Sequence, residues 1–210
     1  MLHRSLATAV AVVVTLATAR PALAQSKIEF TPWAGMYMPS HAIVADTAGS
    51  VSIFEVTNGG VFGGRLSYWF ADRFAVEANV GLAASRIHLV GGTSDFEFRA
   101  STAMADVRGR VEVTTPGKAI GLHLMAGAGI TRARNSYFDI AGEILPGFEY
   151  KTSIGPVVGM GATRRLSQGT VLRIDLEDRI YSTNVDTGAS TTQDRTQHDF
   201  LFTIGLGLQL

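Results

Sequence analysis

The sequence has no cysteine among its 210 residues, which excludes a disulfide framework, a thiolate metal site and a cysteine nucleophile. Charged residues make up only 17% of the chain and balance to zero net charge. No basic patch stands out, so nothing argues for a nucleic-acid partner. Beyond position 24 no run of 18 apolar residues occurs, whereas all 23 glycines lie there. These features leave few classes of protein open, and the length is typical of one domain.

The first residues are predicted to be a targeting segment. Arg4 precedes a largely apolar run over residues 6–17, and the tripeptide Ala22-Leu23-Ala24 forms an A-x-A cleavage pattern. This arrangement predicts a secretory signal peptide over residues 1–24, with export through the general secretory pathway. The apolar run is too short to cross a bilayer as a helix. Residues 25–210 are then the folded domain.

Large apolar residues alternate with small or polar ones along the rest of the chain. In residues 200–210 every even position is large and apolar, and the odd positions carry Leu, Thr, Gly, Gly and Gln. A period of two predicts a strand with one apolar face. Each predicted strand has about ten residues, enough to cross a bilayer at a tilt. The pattern predicts eight strands, over residues 28–38, 62–70, 74–85, 101–111, 120–131, 153–163, 172–180 and 200–210.

Long and short connections alternate strictly between these strands. The predicted long connections are 40–60, 86–97, 132–147 and 182–197, and the predicted short ones are 71–73, 114–118 and 166–169. One end of the sheet would therefore carry tight turns, and the other would carry long polar loops. Such asymmetry is typical of an up-and-down transmembrane β-barrel with periplasmic turns and external loops. An even number of strands places both termini on the periplasmic side.

A soluble eight-stranded barrel with an apolar interior is the competing interpretation. The polar faces combine bulky charges with many glycines, and the expected registers place the two together. If the numbers of paired residues sum to 336 in the hairpin of the sixth and seventh predicted strands, Gly161 lies opposite Asp175. If they sum to 233 in the hairpin of the fourth and fifth, Gly127 lies opposite Asp106. A large charge beside a glycine suits a narrow, filled interior. The sequence therefore predicts a membrane barrel with its apolar face outward, closed because an open sheet edge is not tolerated in lipid.

The chain resembles the small eight-stranded outer-membrane barrels of the OmpA/OmpX type, in the outer membrane protein β-barrel domain group. The resemblance rests on the signal peptide, the eight alternating strands, the loop asymmetry and the final strand, and it covers the whole mature chain. It implies an outer-membrane location and recognition of the C-terminal strand by the barrel-assembly machinery. Family members typically end in Phe, whereas this chain ends in Leu210.

Charged residues at interior positions are the candidate functional site. Buried charges must be paired, and eight strands leave no open lumen, so these residues predict a salt-bridge plug rather than an ion path. Arg65 and Glu77 lie diagonally across the first short hairpin if residue numbers sum to 144, and we expect them to pair. The predicted interior set is Arg65, Glu77, Asp106, Arg108, Arg110, Arg173, Asp175, Glu177 and Arg179.

Three functions fit this architecture: a structural barrel whose external loops make surface contacts, a narrow porin-like channel, and a lipid A-modifying enzyme. No metal-ligand spacing occurs, and neither His123 nor His198 has a serine two residues away on its own face, so we expect no catalytic, cofactor or metal site. Arg86 and Arg132 follow the apolar band and either contact lipopolysaccharide phosphates or are solvated loop residues. Outer-membrane lipid is the other expected partner, and we expect a monomer. Asp178 interrupts an outward apolar series, which places it at the interface near His198 or at a bulge.

Overall fold

The computed structural model describes residues 27–40, 43–47, 50–91, 94–115, 118–135, 152–183 and 195–210. The predicted signal peptide lies outside this range. Within it every regular element is a strand, and no helix is long and apolar enough to cross a membrane. The strands are β1 (Lys27–Pro39), β2 (Ile43–Thr47), β3 (Ser50–Val56), β4 (Gly59–Ala71), β5 (Phe74–Gly91), β6 (Ser94–Glu112), β7 (Ile120–Asn135), β8 (Thr152–Arg165), β9 (Thr170–Thr183) and β10 (Arg195–Gln209).

Eight long antiparallel strands close into a barrel. Their order is β5-β4-β1-β10-β9-β8-β7-β6, and pairing between β5 and β6 completes the circle. The short hairpin of β2 and β3 extends the sheet beside β5. The turns after β4, β6 and β8 share one end of the barrel with Lys27 and Leu210, which we name the turn end. The opposite end, where β5 and β6 meet near Gly91 and Ser94, is named the loop end.

The two faces of the wall confirm that the apolar residues point outward. Val80 is 60% exposed on the outer face, whereas the neighbouring Glu77 has no exposed surface and lies inside. The soluble barrel with an apolar lining is therefore excluded. In each strand of the barrel the outward positions are mainly apolar, because the lipid contains no water to solvate a charge. The polar positions face the interior, which is the reverse of a soluble barrel.

Two of the predicted registers are confirmed. Gly161 lies opposite Asp175 on β8 and β9, and Arg65 lies opposite Asn79 on β4 and β5. The register predicted for β6 and β7 is wrong by two residues, because Asp106 lies opposite Gly129. The turn there is longer than expected: Val113 N donates to the carbonyl of Leu122 at 2.8 Å. A slip of two leaves each side chain on its predicted face.

The long connections are the least accurate part of the prediction. Residues 86–97 were expected to be a loop, but β5 and β6 continue through nearly all of them and meet in a tight hairpin. Ile87 lies opposite Phe98 in this register, and Leu89 lies opposite Phe96. Part of 40–60 forms the β2–β3 hairpin, and most of 132–147 and 182–197 lies outside the described residues.

Candidate functional site: the charged barrel interior

The structure places all nine predicted charged residues inside the barrel, each no more than 5% exposed. We call these nine residues the interior charge cluster. Strand alternation directs their side chains inward, and most lie in the half of the barrel nearer the turn end. Each of the five arginines has at least one carboxylate oxygen within 4 Å. The interior is therefore filled by paired charges, as burial requires.

Glu77 is the centre of one half of the interior charge cluster. Arg173 donates to its carboxylate from two nitrogens, at 2.5 and 3.0 Å. Arg108 Nε donates at 3.1 Å and Arg110 Nη1 at 3.4 Å. Ser67 Oγ adds a hydrogen bond of 3.0 Å. One carboxylate thus accepts from three guanidinium groups and a hydroxyl, an arrangement in which bidentate geometry fixes orientation as well as charge.

Arg65 is the centre of the other half, and its partners differ from the prediction. It does not pair with Glu77 but bridges Asp175 and Glu177. Asp175 also accepts from Arg173 Nε at 2.8 Å and lies 2.7 Å from His123 Nε2. The expected pairing was wrong because Arg173, Arg108 and Arg110 hold the Glu77 carboxylate instead. The strands β1 and β10 lie between β4 and β9 in the sheet. Arg65 therefore reaches its partners across the lumen, not along a hairpin.

The remaining two members join the cluster farther from the turn end. Arg179 pairs with Asp106 across the interior. Asp106 also accepts from Asn79 Nδ2 at 2.8 Å, and Asn79 in turn accepts from Trp33 Nε1 at 2.9 Å. The indole ring of Trp33 lies 5.2 Å from the guanidinium of Arg65, a favourable cation–π distance. Trp33 thus links the charges to the next layer of the interior.

An apolar layer lies on the loop-end side of the interior charge cluster, and the sequence analysis did not predict it. It consists of Trp33, Tyr37, Val61, Ala83, Met104 and Leu201, each at most 4% exposed. Glycines make room for the indole: a Cβ at Gly81 would lie 2.6 Å from Trp33 Cη2. The interior parity of Trp33 and Tyr37 could have revealed this layer. Its residues come from β1, β4, β5, β6 and β10.

A third layer lies beyond the apolar one and centres on Asp199. Tyr37 Oη and Tyr181 Oη donate to the same carboxylate oxygen at 2.7 and 2.6 Å, and Gln197 Nε2 donates to the other at 3.3 Å. Asp199 has no exposed surface. The sequence analysis had not assigned Asp199 to the interior site. Its partners are hydroxyl and amide groups.

Asp178 lies on the outer face beside His198, as expected from the sequence. His198 Nδ1 lies 2.9 Å from Asp178 Oδ2, and both side chains are partly exposed. On the neighbouring strand edge, His198 N donates to Ser40 Oγ at 3.2 Å. Among the described residues there is no cluster of three or more histidine, cysteine or carboxylate side chains suited to a metal ion.

Comparison with known protein families agrees with this geometry. The family model described as "Outer membrane protein beta-barrel domain" matches residues 8–209. The chain belongs to this family. The expected resemblance to small eight-stranded outer-membrane barrels is thereby confirmed, and membership places the chain among proteins of the bacterial outer membrane. A search of curated proteins finds no match.

Solved structures of outer-membrane barrels share this fold. Neisserial surface protein A has 14% identity and a TM-score of 0.56, over 87% of this chain and 97% of that one. Outer membrane protein W of E. coli has 17% identity and a TM-score of 0.53, over 90% and 100%. A major outer membrane protein of Thermus thermophilus has 13% identity and a TM-score of 0.52, over 87% and 99%. At these identities the likeness shows the fold alone.

Proposed function

We propose that this protein is a structural outer-membrane barrel with a sealed interior, exported through the general secretory pathway and inserted as a monomer. One observation carries the proposal: the interior charge cluster and the apolar layer are both buried inside the same lumen, with almost no exposed surface. A charged level alone could hold water between its ion pairs. An apolar level of this kind disfavours water and ions together.

The external loops are the expected contact surfaces of such a barrel. Because the wall faces lipid and the lumen is filled, contacts with surroundings or partners fall to the connections at the loop end. The β5–β6 hairpin and the β2–β3 hairpin provide ordered backbone there. Closure of the wall brings β10 against β1, with Leu210 N donating to the carbonyl of Ile28 at 2.8 Å. We propose that the barrel-assembly machinery reads this C-terminal strand. The proposal includes no catalytic step.

Planar-bilayer recording tests the sealed interior. The wild-type protein should insert without discrete conductance steps, because both levels of the lumen are filled. The matched variant combines Trp33→Gly and Leu201→Gly to open the apolar layer while keeping all nine residues of the interior charge cluster, although the hydrogen bond from Trp33 to Asn79 is lost. A third protein carries Val80→Ala and Leu206→Ala on the outer face as a control for lost apolar volume. Heat-modifiable migration on gels shows which proteins are folded.

Conductance steps from the folded wild-type protein that match an open pore would refute the proposal and favour the porin-like alternative. Silence of the wild type is expected. Steps appearing in the variant that lacks the apolar layer, but not in the outer-face control, would locate the seal in that layer. Lipid A recovered from expressing cells should have the same mass as lipid A from non-expressing cells. A change in its mass would favour the enzymatic alternative.

A further inference from the structure

Asp199 is the one buried carboxylate in the described part of the chain without a cationic partner. Six carboxylates and five arginines of the described residues are buried inside the barrel. Five of the carboxylates can each be matched with a different arginine within 4 Å, as Glu29–Arg110, Glu77–Arg173, Asp106–Arg179, Asp175–Arg65 and Glu177–Arg108. Glu112 shares Arg110, but its side chain is 14% exposed at the turn end. No described arginine or lysine lies within 4 Å of Asp199, which therefore adds one uncompensated negative charge.

The hydrogen bonds of Asp199 are those of an ionised carboxylate. The hydroxyls of Tyr37 and Tyr181 donate to Oδ2 at 2.7 and 2.6 Å, in the range of charge-assisted hydrogen bonds from a hydroxyl to a carboxylate. Gln197 donates to Oδ1. All three donors are neutral, so they fix the position of the carboxylate without supplying a positive charge. A buried ionised carboxylate without a counter-charge is strongly disfavoured, which indicates that a cation completes the site.

Oδ1 of Asp199 is the oxygen open to such a cation. A carboxylate oxygen has two lone pairs, and the two tyrosines use those of Oδ2. Oδ1 accepts a single hydrogen bond, from Gln197 Nε2 at 3.3 Å, which is longer than most hydrogen bonds from an amide. A half-turn of this amide would put the oxygen of Gln197 in the place of the nitrogen. Two oxygens at this separation suit neighbouring ligands of a cation that binds oxygen at about 2.3–2.6 Å.

We propose that Asp199 and Gln197 bind one alkali cation of the size of sodium, with Tyr37 and Tyr181 holding the carboxylate in position. A single positive charge balances the buried interior, whereas a divalent ion would overcompensate it. Carboxylate and amide oxygens are ligands that hard cations prefer. The sequence analysis expected no metal site, and the described residues contain no cluster of three or more histidine, cysteine or carboxylate side chains suited to a metal ion. An alkali ion held by one carboxylate and neutral oxygens requires no such cluster.

Unfolding of the purified full chain by urea in a nonionic detergent, with sodium chloride or choline chloride at equal ionic strength, tests the site. Both salts screen exposed charges equally, but choline is too large for a buried position. An ion that binds only the folded state stabilises it by an amount that grows with the ion concentration relative to Kd. At a sodium concentration of about ten times Kd, the ratio of folded to unfolded protein should rise about elevenfold. The urea midpoint should therefore rise with sodium and stay constant in choline.

The variant Asp199→Asn keeps the shape of the side chain but removes its charge, so its urea midpoint should be the same in both salts. The matched control is Asp72→Asn, since Asp72 is exposed in the turn after β4, and it should retain the sodium dependence. Equal wild-type midpoints in the two salts would overturn the proposal and assign the balancing charge to a bound proton, and this result requires no variant to fold. Sodium dependence retained by the folded Asp199→Asn variant would overturn it too. No outcome depends on conductance, so the sealed interior is tested separately.

Discussion

Replacing Glu77 with glutamine removes the charge at the centre of one half of the interior charge cluster while keeping its shape. Arg173, Arg108 and Arg110 would then face a neutral amide in a site with no exposed surface. Removing one partner of a buried ion pair costs about 3–5 kcal/mol. Arg173 retains Asp175 as a second partner at 2.8 Å, which places the expected cost at the lower end, about 3 kcal/mol.

Unfolding by urea in detergent micelles, followed by tryptophan fluorescence, measures this cost. The chain has two tryptophans, and both are near the site: Trp33 lies 5.2 Å from Arg65, and Trp69 lies 4.7 Å from Arg110. The fluorescence therefore reports on the layer that is perturbed. The double variant Glu77→Gln/Arg173→Met should cost less than the sum of the single variants by about 1–3 kcal/mol, because contacting residues couple.

The exposed pair Arg86–Glu97 is the matched control. Its side chains are 64% and 42% exposed, so Glu97→Gln should cost about 0–1 kcal/mol. The reasoning is refuted if Glu77→Gln costs no more than this control. It is also refuted if the two single variants add independently, since that would mean Glu77 and Arg173 do not interact in the folded barrel.

Two other predictions concern the wall and its orientation. Gly161→Leu should abolish the heat-modifiable folded form, because even a Cβ would collide with Asp175 and lie 2.6 Å from His123 Nε2. The control Gly60→Ala should fold normally, because the space around Gly60 is open. Equal folding of the two variants would show that the barrel interior can rearrange to accept a side chain at Gly161. Cysteines placed singly at Ser50 and Ser94 should react in whole cells with a membrane-impermeant maleimide, whereas one at Ser167, in the turn before β9, should not. The reverse labelling pattern would invert the topology.

The sequence predicted which face of the barrel wall each residue occupies better than it predicted which interior residues contact each other. Alternation assigns each residue to one side, so the outward apolar residues and the nine interior charges follow from a period of two. The Gly161–Asp175 register follows as well, since a short turn fixes a hairpin. The partner of Arg65 does not follow. Its carboxylates lie on β9, three strands away around the barrel, and no local spacing encodes a contact made across a lumen.

The layered interior was missed for a different physical reason. Alternation groups all residues of the polar face together, so it does not separate Trp33 and Tyr37 from their charged neighbours. Their height along β1 distinguishes them, because both lie farther from the turn end than Glu29 does. The heights of residues on different strands along the barrel axis can be compared only when the stagger between neighbouring strands is known. The end of β5 was also predicted wrongly. Arg86 interrupts the outward apolar series, which predicted a loop there, although β5 continues to pair with β6 as far as Gly91.

The distribution of charge separates a stabilising role from a contact role. Inside the barrel each arginine has a carboxylate within 4 Å, so the interior presents little net attraction to a passing ion. On the outer face the paired side chains of Arg86 and Glu97 are 64% and 42% exposed, so water screens their interaction and it adds little to stability. An exposed charge of this kind can exchange its partner for one in the surroundings, whereas a charge in a buried ion pair cannot. Contacts with charged partners other than the ion proposed at Asp199 are therefore expected on the outside of this barrel, at the loop end.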